Sequence, residues 1–216
     1  MNCAICGVRK PKRYCPGVRG EICSICCGTE REQSVDCPLE CEYLHEAHLH
    51  EKPPKLDPTT MPNMDVRVND SFLEENEPIL ILVGNAVLEG ALKTPGITDF
   101  DIREALEALI QTYRALQSGL YYEAMPQNPY AAAIHESVQD RVADLRKRET
   151  EATKLATTIS DAKVLGILVF LQRLEYANNI GRKRSRAFLD FLTRFYVPPA
   201  LAPEAAPEPD APRVIL

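Results

Sequence analysis

Cys3-Ala4-Ile5-Cys6, then Cys15, then Cys23-Ser24-Ile25-Cys26-Cys27, then Cys37-Pro38-Leu39-Glu40-Cys41 contain every cysteine of the chain. All eight thiols fall near the start of a 216-residue sequence, and none follows. Two or three residues between paired thiols is the span that lets both sulfurs reach one metal ion. Eight thiolates complete two tetrahedral sites with none left over. A disulfide framework would need an oxidising compartment, and Met1-Asn2-Cys3-Ala4 lacks the basic start and apolar run of an export signal. The reading is a cysteine-rich metal-binding module in a cytoplasmic protein, with two Zn2+ as cofactors. An iron–sulfur cluster or redox thiols is the competing chemistry.

Spacing leaves two ligand pairings open. In the interleaved pairing Cys3, Cys6, Cys23 and Cys26 hold the first zinc, and Cys15, Cys27, Cys37 and Cys41 hold the second. In the sequential pairing the first four cysteines of the chain share one ion. Side chains of the neighbours Cys26 and Cys27 point in different directions, which suits service to different ions.

Cys3-x-x-Cys6, Lys12-Arg13-Tyr14-Cys15-Pro16 and Cys23-Ser24-x-Cys26 together resemble the opening of a HIT-type zinc finger, over residues 3–41. The resemblance implies a small cross-braced module that mediates protein contacts, and with it interleaved ligation. Two departures mark the chain. Pro16-Gly17-Val18 stands where the family has a further cysteine, and Cys27, Cys37 and Cys41 replace its later His/Cys pair. No partner or pathway carries over.

Charge bounds the partners. Arg9, Lys10, Lys12, Arg13 and Arg19 precede the first acid, Glu21. They form either a phosphate-contacting patch or local compensation for zinc held by four thiolates. The formal net charge of −6 favours compensation. His45, His48 and His50 are read as solvent-facing residues of a short helix from Glu42 to Glu51.

Beyond the module (residues 1–50) the composition shifts to a Pro-rich linker (51–66), a helical bundle domain (67–197) and a disordered Pro/Ala-rich tail (198–216). Glu77-Pro78 opens a helix with proline in its first turn. Thr98 caps the next, with Asp101 three residues on, and this helix is expected to run to Met125-Pro126. Asn128-Pro129 restarts a long helix along a seam of Ala131, His135, Val138, Val142, Leu145 and Glu149, reaching Ile159 before Ser160 caps another. The apolar block Val164–Leu174 is too short and too interrupted to span a membrane, and reads as the most buried helix. Asn178 to Gly181 stops it. A last helix carries Phe188, Leu192 and Phe195. The fold class is mainly α: a small N-terminal cysteine-rich zinc-binding module followed by an all-helical bundle domain.

No phosphate-cradling glycine loop, H-E-x-x-H or G-x-S-x-G occurs, so no catalytic residue is assigned. His135 reads as a core histidine. Arg182, Lys183, Arg184 and Arg186 stand at the start of the final helix, where they oppose its dipole; they are candidate contacts for an anion or nucleic acid, against the plainer reading of a solvated charge run. Closed thiolate zinc disfavours enzymatic metal. The leading function is a non-enzymatic zinc-binding interaction or adaptor protein with a protein partner, ahead of nucleic-acid binding and of redox chemistry. Neither the partner's identity nor the oligomeric state follows from the sequence.

Overall fold

The structure, a computed structural model, describes residues 2–52 and 58–196. The chain begins with a hairpin of β1 (Arg13–Cys15) and β2 (Gly20–Ile22), antiparallel with Cys15 opposite Gly20. Helices α1 (Ser24–Glu30) and α2 (Glu42–His50) follow. The interior of this part consists of Ile22, Val35, Leu44 and cysteines. Three aliphatic side chains cannot offset the conformational entropy of ordering residues 2–52, so the thiols must contribute more than packing.

The remainder is a bundle of α3 (Asp70–Glu75), α4 (Glu77–Leu92), α5 (Asp99–Gln117), α6 (Pro129–Thr153), α7 (Asp161–Asn178) and α8 (Ala187–Phe195). Helix α4 packs on α6 and α5 on α7, while α5 also meets α6 and α8 closes one end against α4, α5 and α7. Ala105, Leu106, Leu109, Ile134, Ile167 and Leu168 are fully buried between them. The approach of α4 to α6 depends on Gly90, where a Cβ would lie 2.9 Å from the Cα of Ile134. Helix α7 is buried almost all round through Val164–Leu171, as its continuous apolar run requires. Among the described residues no helix is long and apolar enough to cross a membrane.

The expected caps occur where the sequence places them. Thr98 and Asp101 form a reciprocal capping box, Asn128 accepts from Tyr130 N, and Ser160 accepts from Lys163 N. Two helix ends differ. Helix α5 ends at Gln117, where Gly119 takes a left-handed φ of 80°, so Leu120, Tyr121 and Tyr122 lie in an exposed loop instead of a last helical turn. Helix α6 ends at Thr153 with Lys154 left-handed, and Glu149 turns to accept from Thr157 and Thr158. Within α6 the seam is therefore buried only over Ala131–Val142, and Ile159 reaches the core from beyond the helix end. Part of the Pro-rich stretch 51–66 is described. Residues 58–66 are fixed against the bundle: Pro58–Thr60 form a 3-10 turn, and Arg173 donates to the carbonyls of Pro62, Asn63 and Val66. Residues 53–57 of that linker and the 198–216 tail lie outside the described residues.

Helix α8 begins at Ala187 with Arg186 as its N-cap residue, so of the basic run only Arg186 stands at the helix terminus and Arg182–Arg184 precede it. Its first turn is capped from another helix. The fully buried Asp99 carboxylate accepts from Ser185 Oγ at 2.6 Å, Phe188 N at 3.0 Å and Leu189 N at 3.1 Å. Burial pushes this carboxyl up to about 6 despite those three donors. Asp99→Ala strands buried N–H groups and removes the cap, and is expected to cost about 2–4 kcal/mol in urea unfolding. Asp99→Asn keeps an acceptor and should recover at least half of that loss; equal losses would show that the cap is not the cause.

Candidate metal centre

The Cys3–Gly7 knuckle is shaped by backbone hydrogen bonds. Cys3 N donates to Arg9 O, and Gly7 N donates to Cys3 O at 2.8 Å. Gly7 has φ 67°, a conformation that glycine adopts without strain, and the chain reverses there. The hairpin then delivers Cys23 to the N-cap of α1, which puts Cys26 one turn into the helix. Cys23 N donates to Cys3 Sγ at 3.2 Å, joining the two pairs. The four sulfurs of Cys3, Cys6, Cys23 and Cys26 lie within 4.8 Å of one another. A tetrahedral zinc with Zn–S of about 2.3 Å spaces its sulfurs by about 3.8 Å, so this set could hold one metal ion after small adjustments.

The electrostatics of the cluster also suit a cation. The Cys6 backbone N–H, against the cost of burial and with help from Cys23 and Ile5 N–H groups, holds the Cys3 thiol down to about 6. Burial, followed by the neighbouring Cys23, Cys6 and Cys3, pushes Cys26 up to about 12. One thiolate forms readily and hinders the next. A central cation removes that repulsion and lets all four ionise.

Among the described residues only that set of thiols converges to ligand distance; the other four share a cavity instead. Cys15 at the end of β1, Cys27 in α1, Cys37 and Cys41 line a cavity of about 20 Å³ together with Ile22 and Leu44. Burial, opposed by the Glu32 backbone N–H, pushes Cys37 up to about 11. Arg13 and Arg31 direct guanidinium N–H groups at Cys27 Sγ, at 3.9 and 3.8 Å, and Arg13 also stacks 3.9 Å from the Tyr43 ring centroid. Arg9 is raised by the side chain of Cys23. Arg9 and Arg13 thus face thiols, as charge compensation requires.

The basic run near the C-terminal end, read as an anion contact, has internal partners. The Arg186 side chain is 7 % exposed; it donates to Asp36 Oδ1 at 2.6 Å, to Ile97 O and to Cys37 O. Arg182 donates to Arg31 O and Glu51, and Arg184 N donates to Glu32 O. Arg186 and Arg182 are therefore docking groups between the module and the bundle, and Arg186 offers no free surface in this state. Lys183 and Arg184 keep exposed side chains.

His48 is a further correction. It is not solvent-facing: its side chain is 4 % exposed, and its ring bridges Glu32 at 3.0 Å and Asp190 at 3.1 Å. Asp190 also receives His45 and Arg194. No pattern of neighbouring residues marks Glu32, which is fully buried with φ 53°. Asp190 does leave a trace, as the single acid inside the apolar stretch Ala187–Leu192. His135 is buried in the bundle without a hydrogen-bond partner for either ring nitrogen, and burial lowers its pKa. That is the setting of a core histidine.

No known protein family, curated protein or solved structure matches the chain.

The buried network dictates a pH response. Burial alone would lower His48, but hydrogen bonds with Asp190 and Glu32 raise it to about 9 from an ordinary 6.5. Burial would raise Asp190, yet His48, Arg194 and His45 hold it down to about 2. A raised histidine stabilises the fold fully below pH 6.5 and ceases to do so as pH rises through 9. A depressed carboxylate contributes above pH 3.8 and fails as pH falls through 2. Melting temperature is expected to drop between about pH 7.5 and 9.5 in the parent chain, and this drop should be largely absent in His48→Gln. Parallel pH profiles for the two proteins would exclude the ionised bridge.

Proposed function

We propose that this chain is a non-enzymatic zinc-binding interaction protein of the cytoplasm, whose N-terminal module is folded by two Zn2+ ions and presents a surface to a protein partner. The convergence of Cys3, Cys6, Cys23 and Cys26 carries the reading. Support for the second ion is the common cavity lined by Cys15 of β1, Cys27 of α1, Cys37 of the loop after α1 and Cys41 at the start of α2. This division is the interleaved pairing that the HIT-type resemblance implies.

Sulfur-only sites suit a structural role. Four thiolates close the coordination sphere and leave no position for water or substrate, so zinc here supplies folding free energy. The module keeps Val8, Tyr14 and Ile25 largely exposed, although its interior is short of apolar groups. Apolar side chains left outside under those conditions favour a protein partner over a purely internal brace.

Native mass spectrometry is expected to find two zinc ions per chain. Cys3→Ser and Cys23→Ser should each release one and the same ion, and Cys15→Ser and Cys41→Ser the other. A metal-free but ordered module, disulfide-linked thiols, or bound iron with visible absorbance would overturn the proposal.

A further inference from the structure

The two thiol sets hold different parts of the molecule. Cys3, Cys6, Cys23 and Cys26 tie the knuckle to the hairpin and to the start of α1. Cys27 and Cys37 bracket the segment from Gly28 to Asp36, and Cys41 stands immediately before α2. These last pieces are the ones that touch the bundle. The segment supplies Arg31 O to Arg182, Glu32 O to Arg184 N, the Glu32 carboxylate to Arg186 N, and Asp36 to the Arg186 guanidinium. Helix α2 supplies His48, which completes the bridge from Glu32 to Asp190. Within the segment only Glu32 and Val35 are buried, so its own hydrocarbon does little to fix it.

Resting on the two-ion reading above, we infer that the Cys15/Cys27/Cys37/Cys41 ion is a latch. While it is bound, the Gly28–Asp36 segment engages Arg182, Arg186 and the Arg184 backbone, and of the basic run only Lys183 and Arg184 keep exposed side chains. When it is lost, Arg182, Lys183, Arg184 and Arg186 become a binding site for the phosphate backbone of a single-stranded nucleic acid. The chemistry is that of the run itself. Three guanidiniums and an ammonium within five residues match spaced phosphates, and the carbonyl and carboxylate oxygens that now receive Arg182 and Arg186 stand where phosphate oxygens would. Residues 179–186 lie outside any helix and include Gly181 at φ 72°, so the strip is not bound to a helical pitch. No exchange of electrons is required: withdrawal of the ion by a chelator and uptake of protons by the freed thiolates balance the step.

The test uses the full chain, a fluorescein-labelled oligouridylate, and Cys41→Ser beside the parent protein. Native mass spectrometry first counts the ions. If the parent carries fewer than two, the two-ion reading fails by itself. With one ion left in Cys41→Ser, oligonucleotide affinity is expected to rise at least tenfold, and trypsin should cut at Arg182–Arg186, where the parent resists. The logarithm of the affinity should fall with the logarithm of salt with a slope of about −2 to −3, from roughly −0.7 per phosphate contact. Adding R182Q, K183Q, R184Q and R186Q should abolish the gain. Should Cys41→Ser fail to fold, the parent after zinc withdrawal serves instead, and zinc restoration must reverse binding. Unchanged affinity, a gain that survives the four glutamines, or capture by phosphatidylserine vesicles in place of the oligonucleotide would overturn the inference.

Discussion

Residues 2–52 must fold with an interior of three aliphatic side chains and a set of thiols, and this shortage of hydrocarbon governs the rest of the structure. Packed sulfur alone does not solve the problem, because crowded thiols resist joint ionisation and give up little hydration on burial. A cation at their centre changes both terms at once: it makes the thiolates favourable and links chain segments that are far apart in sequence. The bundle has no such need. Its core, from Ile79 to Tyr196, is continuous hydrocarbon contributed by α4 to α8.

The joint between these two unlike parts is built from charge. Glu32, His48, Asp190 and Arg186 are all at least nine-tenths buried as side chains, and each satisfies another. Networks of this type are costly to break one member at a time, since a lost partner leaves a buried charge unpaired. They also specify position more strictly than apolar contact does. The module is consequently seated in one register on the bundle, and the left-handed backbone of Glu32 is held by that seat.

Local signals are legible in the sequence. The C-x-x-C pairs, the Thr98 capping box, the Asn128-Pro129 start and the Gly181 stop each depend on residues close together in the chain, and each has its structural counterpart. Features set by distant residues are not. Nothing near Arg186 announces that Asp36 and the Cys37 carbonyl will receive it, so the run reads as free charge. His48 reads as exposed for the same reason, its partners being 16 and 142 residues away. The end of α5 is hidden for a different reason. Leu120 continues the apolar spacing of Leu116, whereas Gly119 takes a left-handed φ that ends the helix at Gln117.

X-ray absorption at the zinc edge of the full chain addresses the central claim most directly. A coordination sphere of four sulfurs at about 2.3 Å, with no nitrogen or oxygen, is the expected result for thiolate-closed zinc. A sphere containing lighter ligands, or an absorption edge belonging to iron in place of zinc, would contradict it.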